Sequence, residues 1–174
     1  MPEYKATVII PVYNVEKFVE SCLVSLTEQT IGFDNIEVLL VNDGSTDNSE
    51  AICKGFADKY ENVVLYSKEN EGLSKTRNYA LARAKGKYIF FLDSDDRLRA
   101  DTVKSVTDFF DTVYDEVDLV TYRIIQYFNG VPVITHNRYR TLIKTGVYDL
   151  LDPENRFITQ TNVNICIKNR GEDN

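Results

Sequence analysis

Three carboxylates fall within Asp93-Ser94-Asp95-Asp96, directly behind the apolar run Tyr88-Ile89-Phe90-Phe91-Leu92. An uninterrupted stretch of aromatic and apolar residues reads as a strand buried on both faces, as in the middle of a parallel sheet. In open α/β sheets ligands bind beyond the carboxyl ends of the strands, so the acids stand where a ligand site is expected. Like charges this close raise one another's pKa unless a cation sits among them. A hard divalent metal carrying a phosphorylated ligand would resolve that conflict. Asp and Ser also turn chains and cap helices, and Asp96 or Asp101 suit that role, but a cap takes one acid rather than three.

Polar groups follow three further strand-like runs. Thr7 to Pro11 is stopped by proline and followed by Val12-Tyr13-Asn14, and Ile36 to Asn42 runs into Asp43-Gly44-Ser45-Thr46-Asp47. Val63 to Tyr66 leads into Asn70-Glu71-Gly72-Leu73-Ser74, with Arg77 one turn further on. Adjacent parallel strands bring such ends to one edge of a sheet. Together they suit a nucleotide: Tyr13 offers an aromatic face, Asp43 an acceptor for a ring N–H, Arg77 charge for phosphate, and the last acids a metal bridging two phosphates. Each residue also has a plain structural alternative. Tyr13 could cover the first helix, Asp43-Gly44 could be only a turn, and Arg77 a solvated helix charge.

Helical spacing separates these runs. Val15, Phe18, Val19, Cys22, Leu23 and Leu26 follow Asn14 as a candidate N-cap, and Asp47 with Glu50 makes a capping-box pattern before Ile52 and Phe56. Further helices are expected from Lys75 to Ala84 and over Val103 to Val113. Strict alternation of strand and helix is the signature of a Rossmann-like, mostly parallel α/β sheet flanked by helices. The pattern then changes. Asn129-Gly130 between Leu119–Phe128 and Val131–Thr135 signals an antiparallel hairpin in the C-terminal third. A helical turn over Tyr148–Pro153 and a strand over Val163–Ile167 complete the expected elements. A polar run, Lys168 to Asn174, follows with no closing element, so residues 1–174 are expected to form one domain truncated on its C-terminal side.

With 43% hydrophobic and 27% charged residues in a 174-residue chain, the composition suits a globular domain with a sizeable core. A net charge of -7 argues against nucleic acid or an anionic membrane as the main partner, since both need a basic surface. Cys22, Cys53 and Cys166 lack metal-ligand spacing and read as buried free thiols of a reducing compartment. No signal-peptide core or bilayer-spanning stretch is visible, so a cytoplasmic location is expected. The single histidine, His136, has no second imidazole to share a metal and reads as a loop residue. The glycine-rich loops of P-loop and dinucleotide-binding domains are absent from the sequence.

Val8-Ile9-Ile10-Pro11-Val12-Tyr13-Asn14, Val41-Asn42-Asp43-Gly44-Ser45-Thr46-Asp47, Asn70-Glu71-Gly72-Leu73-Ser74-Lys75-Thr76-Arg77-Asn78 and Phe91-Leu92-Asp93-Ser94-Asp95-Asp96 resemble, in this order, the motifs of the family 2 inverting glycosyltransferases with the GT-A fold. The resemblance is close through Asp96 and loose beyond it. A lone Asp-x-Asp would say little, whereas four ordered motifs are specific. Bacterial enzymes that build capsules, lipopolysaccharide or decorated teichoic acids look most similar.

The resemblance implies a metal-dependent, inverting transfer of a sugar from a UDP-sugar donor to a hydroxyl of a glycan or cell-envelope polymer. Pro11, Val12 and Tyr13 would wall the uridine pocket with Asn14 beside them, Asp43 would accept from the uracil ring N–H, and Asn70 and Arg77 would help seat the nucleotide. Asp93, Ser94 and Asp95 would form the Asp-x-Asp motif. Asp95 would bind Mn²⁺ or Mg²⁺ directly, and Asp93 would sit by the metal, ribose and donor sugar. The family's general base lies on a later segment, often within Glu-Asp. Glu172-Asp173 has those letters, which makes Asp173 a candidate, but the base is expected beyond Asn174. The resemblance also allows peripheral association with the inner face of the cell membrane through a region outside this chain. A non-catalytic nucleotide-sugar-binding module is the alternative.

Overall fold

The computed structural model describes residues 3–122, 126–128, 131–133 and 164–169. Four strands, β1 (Tyr4–Val12), β2 (Ile36–Asp43), β3 (Val63–Lys68) and β4 (Gly86–Phe91), alternate with α1 (Val19–Thr27), α2 (Ser49–Lys59) and α3 (Leu73–Leu81). Helix α4 (Thr102–Thr112) follows β4. Next come β5 (Leu119–Tyr122), β6 (Gln126–Phe128), β7 (Val131–Val133) and β8 (Asn164–Lys168). The main sheet has the order β3-β2-β1-β4-β8-β5, parallel through β4 and antiparallel where β8 pairs with β4 and β5. This is the expected GT-A class of α/β fold.

Both faces of the sheet are covered, which is why its strands are apolar throughout rather than alternating. Val8, Ile10, Val38, Leu40, Tyr88 and Phe90 enter one core with Val19, Leu23 and Leu26 of α1 and Val103 and Phe110 of α4. Ile9, Leu39, Val41 and Ile89 point to the other face and meet Ala80 of α3. Tyr88 stacks on Phe110 with ring centroids 4.8 Å apart. Fully burying one such side chain contributes about 1.5–3 kcal/mol, so α4 is held chiefly by this face.

The helix starts differ from the capping expected of them. Asn14 adopts φ 53° and its Oδ1 accepts from the Thr46 amide at 2.8 Å, so it ties β1 to the β2–α2 loop instead of capping a helix. The amides of Val15 and Glu16 are satisfied by Ser49 Oγ and Asp47 Oδ2, and α1 begins only at Val19. The Asp47/Glu50 box does not close: Glu50 takes the Ser67 hydroxyl of β3 at 2.5 Å. Asp101 makes no side-chain cap on α4, where Gln29 Oε1 accepts from the Val103 amide at 3.0 Å.

The single arm expected over Leu119–Phe128 serves two sheets. Leu119–Tyr122 joins the main sheet, while Gln126–Phe128 pairs antiparallel with Val131–Val133. Phe128 lies opposite Val131, the antiparallel pairing expected of the hairpin, and Asn129-Gly130 lies outside the described residues. All three cysteines are buried and unpaired. Among the described residues no helix is long and apolar enough to cross a membrane. His136, the Tyr148–Pro153 turn and Asp173 lie outside the described residues.

Candidate functional site

The register brings the strand ends into one row. Val12 pairs with Asn42, Asp43 with Lys68, and Ile9 with Phe91, so the segments after β1, β2, β3 and β4 emerge along the same edge. β1 and β4 are neighbours whose connections leave in opposite directions across the sheet, which makes the gap above them a topological switch point.

Asp43 closes β2 and is buried, with 4% of its surface exposed. Its Oδ1 accepts from Lys68 Nζ and from the Glu71 amide at 3.0 Å, and its Oδ2 from the Gly72 amide at 2.9 Å. Burial raises the carboxyl, but Lys68, the two amides and the Thr76 hydroxyl together outweigh it and hold the pKa below the usual carboxylate range. Asp43 is therefore a fixed anion with part of its acceptor capacity already used. Gly44, at φ 75°, brings this loop against the next: a Cβ there would lie 3.0 Å from the Asn70 amide nitrogen. Only glycine accommodates both demands.

At the end of β4 the chain turns tightly, the Asp96 amide donating to the Asp93 carbonyl at 3.0 Å, with the buried Cys22 thiol 3.8 Å from that same oxygen. Arg77 of α3 donates through Nη2 to Asp93 Oδ1 at 2.5 Å. Ser94 is buried, Asp95 exposed and Asp96 half-buried. Burial, then Asp95 and Asp93, push the Asp96 carboxyl above its usual range. The turn thus carries an excess of negative charge that Arg77 offsets only at Asp93.

The remaining expected residues rim this edge. Pro11 and Val12 are buried in β1, while Tyr13, Asn14 and Asn70 are exposed, Tyr13 by 51%. An exposed aromatic beside a buried carboxylate is a surface on which a planar ring can lie.

The acids suit one kind of metal site. Among the described residues no group of three or more His, Cys, Asp or Glu could hold an ion. Mg²⁺ and similar hard ions need no such cage when one or two carboxylates are joined by substrate phosphates. Asp95 is exposed, and Asp93 spends one oxygen on Arg77 while its side chain stays 49% exposed. Both fit an ion completed by a diphosphate.

A profile of the family described as Glycosyl transferase family 2 matches residues 7–168, nearly the whole chain. The chain belongs to this family. Among curated relatives of this glycosyltransferase domain, the minor teichoic acid biosynthesis protein GgaB of Bacillus subtilis is 41% identical over 157 residues. The match covers 90% of this chain but only 17% of GgaB. The crystal structure of S. aureus TarS 1-349 in complex with UDP-GlcNAc superposes with a TM-score of 0.66 at 33% identity, covering 75% of this chain and 37% of that one. The mannosyltransferase PcManGT of Pyrobaculum calidifontis, in complex with GDP-Man and Mn2+, gives a TM-score of 0.60 at 26% identity over 68% of this chain and 35% of the other.

Within the glycosyltransferase frame, the structure adds groups that the sequence reading left out. Lys68 and the Glu71 and Gly72 amides engage Asp43, and Cys22 lies under the acidic turn. Their motif letters carry no sign of this. Lys68 is found only once β2 and β3 are paired in register.

Proposed function

We propose that this chain binds a UDP-sugar and forms the donor side of a glycosyltransferase that moves the sugar, with inversion, to a hydroxyl of a cell-envelope polymer. The observation that carries the reading is the acidic turn closing β4 beside Arg77, at the switch point of a family 2 fold. The choice of UDP is supported by the UDP-GlcNAc bound in the TarS structure, which is more similar to this chain than the GDP-mannose enzyme is. The envelope acceptor is supported by the teichoic acid role that GgaB's name records.

In this reading Pro11, Val12 and Tyr13 bound the base, and Asp43 accepts its ring N–H. Asn70 and Arg77 seat the ribose and diphosphate, and Asp93 lies by the donor sugar. Asp95, with Asp93, would hold Mn²⁺ or Mg²⁺, which when bound neutralises charge on the departing diphosphate. Inversion requires the acceptor hydroxyl to attack from the face opposite that leaving group while a carboxylate takes its proton. Asp173 or an acid beyond Asn174 fills that role.

The test is thermal unfolding with UDP, CDP, GDP and ADP, each with and without Mn²⁺. UDP with Mn²⁺ at ~100 times its dissociation constant should stabilise the domain by roughly 2.7 kcal/mol. A shift no larger than that from GDP or ADP rejects the uridine assignment. Mass-spectrometric detection of sugar transfer from UDP-GlcNAc and related donors to teichoic-acid-type acceptors then tests the activity.

A further inference from the structure

The contact between Lys68 and Asp43 points past the rim residues to the group that arranges them. Lys68 ends β3 opposite Asp43 in the register, and its side chain is only 12% exposed. Its Nζ donates to Asp43 Oδ1, to the Glu69 carbonyl at 3.1 Å and to Glu71 Oε2 at 3.3 Å. An ammonium has three protons. All three are therefore spent inside the protein, and Lys68 has none to offer a ligand.

Those three bonds bend the β3–α3 connection over Asp43 and bring the Glu71 and Gly72 amides onto its two oxygens. Gly72 is the N-cap residue of α3, so the carboxylate also sits at the positive end of that helix. The charged groups facing Asp43 are Lys68 of β3 and Glu71 of the connection, and Glu71 is itself tied to Lys75 of α3. β1 ends there in the uncharged Pro11 and Val12.

We propose that Lys68 is a positioning residue for base selection: it fixes the carboxylate of Asp43 in the orientation that accepts the uracil ring N–H and turns away cytosine. The proposal rests on the uridine reading given above. Uracil presents an N–H donor at ring position 3, which an ionised carboxylate accepts. Cytosine presents a lone pair there, which the same carboxylate repels. Discrimination therefore depends on Asp43 staying ionised and aimed. Without Lys68, burial is opposed only by the two amides and the Thr76 hydroxyl, so the carboxyl protonates at higher pH and is held less firmly.

The experiment compares UDP and CDP binding by calorimetry, from pH 4 to 8, for the wild-type chain, Lys68→Met and Lys68→Arg, with the Asp43 carboxyl titrated by NMR in each. Lys68→Gln keeps a donor without the charge and replaces the Met variant should that one fold poorly. The expected result for Lys68→Met is UDP binding weakened about tenfold, as for one lost charge-assisted contact. CDP binding should change less, and both the acid limb of UDP binding and the Asp43 titration should move to higher pH. Lys68→Arg should recover most of the preference. A role confined to stability would lower the melting temperature and leave the UDP-to-CDP ratio alone, and that result overturns the proposal. A wild-type chain that binds CDP as well as UDP would instead reject the uridine reading, and this inference with it.

Discussion

Arg77 Nη2 meets Asp93 Oδ1 at 2.5 Å, linking the helix after β3 to the strand end of β4 across the switch point. Arg77 sits between the loop that engages Asp43 and the acidic turn after β4, because α3 starts at that loop and reaches Asp93 within its first turns. The Arg77 Nε is buried and makes no hydrogen bond within the described residues, so the guanidinium keeps a donor beyond its bond to Asp93.

Removing either partner should expose this coupling. Arg77→Ala should weaken UDP binding, and a double-mutant cycle with Asp93→Asn should give a coupling energy of about 1 kcal/mol, small because both side chains are partly solvated. Calorimetry on the four proteins measures it, and additive effects would mean that the pair does not act as a unit.

The acids of the turn should differ in kind. Asp95→Asn should abolish the Mn²⁺ dependence of UDP binding. Asp96→Asn should leave it and raise stability slightly, because it removes a carboxyl that burial, and then Asp95 and Asp93, already push toward protonation. Titrating UDP with and without Mn²⁺ separates the two, and equal losses from both variants would contradict these roles.

Gly86 opens β4 where β1 lies closest. A Cβ there would stand 2.4 Å from the Ala6 carbonyl carbon and the Thr7 nitrogen, which are backbone atoms and cannot swing aside. Gly86→Ala should cost roughly 2–3 kcal/mol, read from urea unfolding. UDP affinity of the folded protein should hold, since the site lies at the other end of the strands.

Acid should loosen the α4 face. Burial raises the Asp111 carboxyl, but hydrogen bonds from Lys5, Lys87 and Tyr88 prevail and hold it far below the usual range. A carboxyl depressed in the folded state adds stability above its unfolded pKa of about 4, and loses it as the pH falls further. Asp111→Asn should therefore be less stable than wild type at pH 7 and show a shallower decline below pH about 4. Melting temperatures across that range test it, and parallel curves for the two proteins would exclude Asp111 as a source of the acid sensitivity.

The sequence alone determined what depends on neighbours along the chain. Apolar runs gave the parallel strands, helical spacing placed α1 to α4, and Asn129-Gly130 marked the hairpin, because strand and helix patterns repeat over a few residues. The strand-end acids and the four ordered motifs were legible for the same reason. Tertiary structure alone decided which partner each polar group takes. Asn14 turned from a helix cap to the Thr46 amide, Glu50 to Ser67, Gln29 to the start of α4, and Lys68 to Asp43. A buried donor or acceptor must be satisfied by whatever the register and the packed faces bring within about 3 Å, and those neighbours come from distant parts of the chain that no local pattern records.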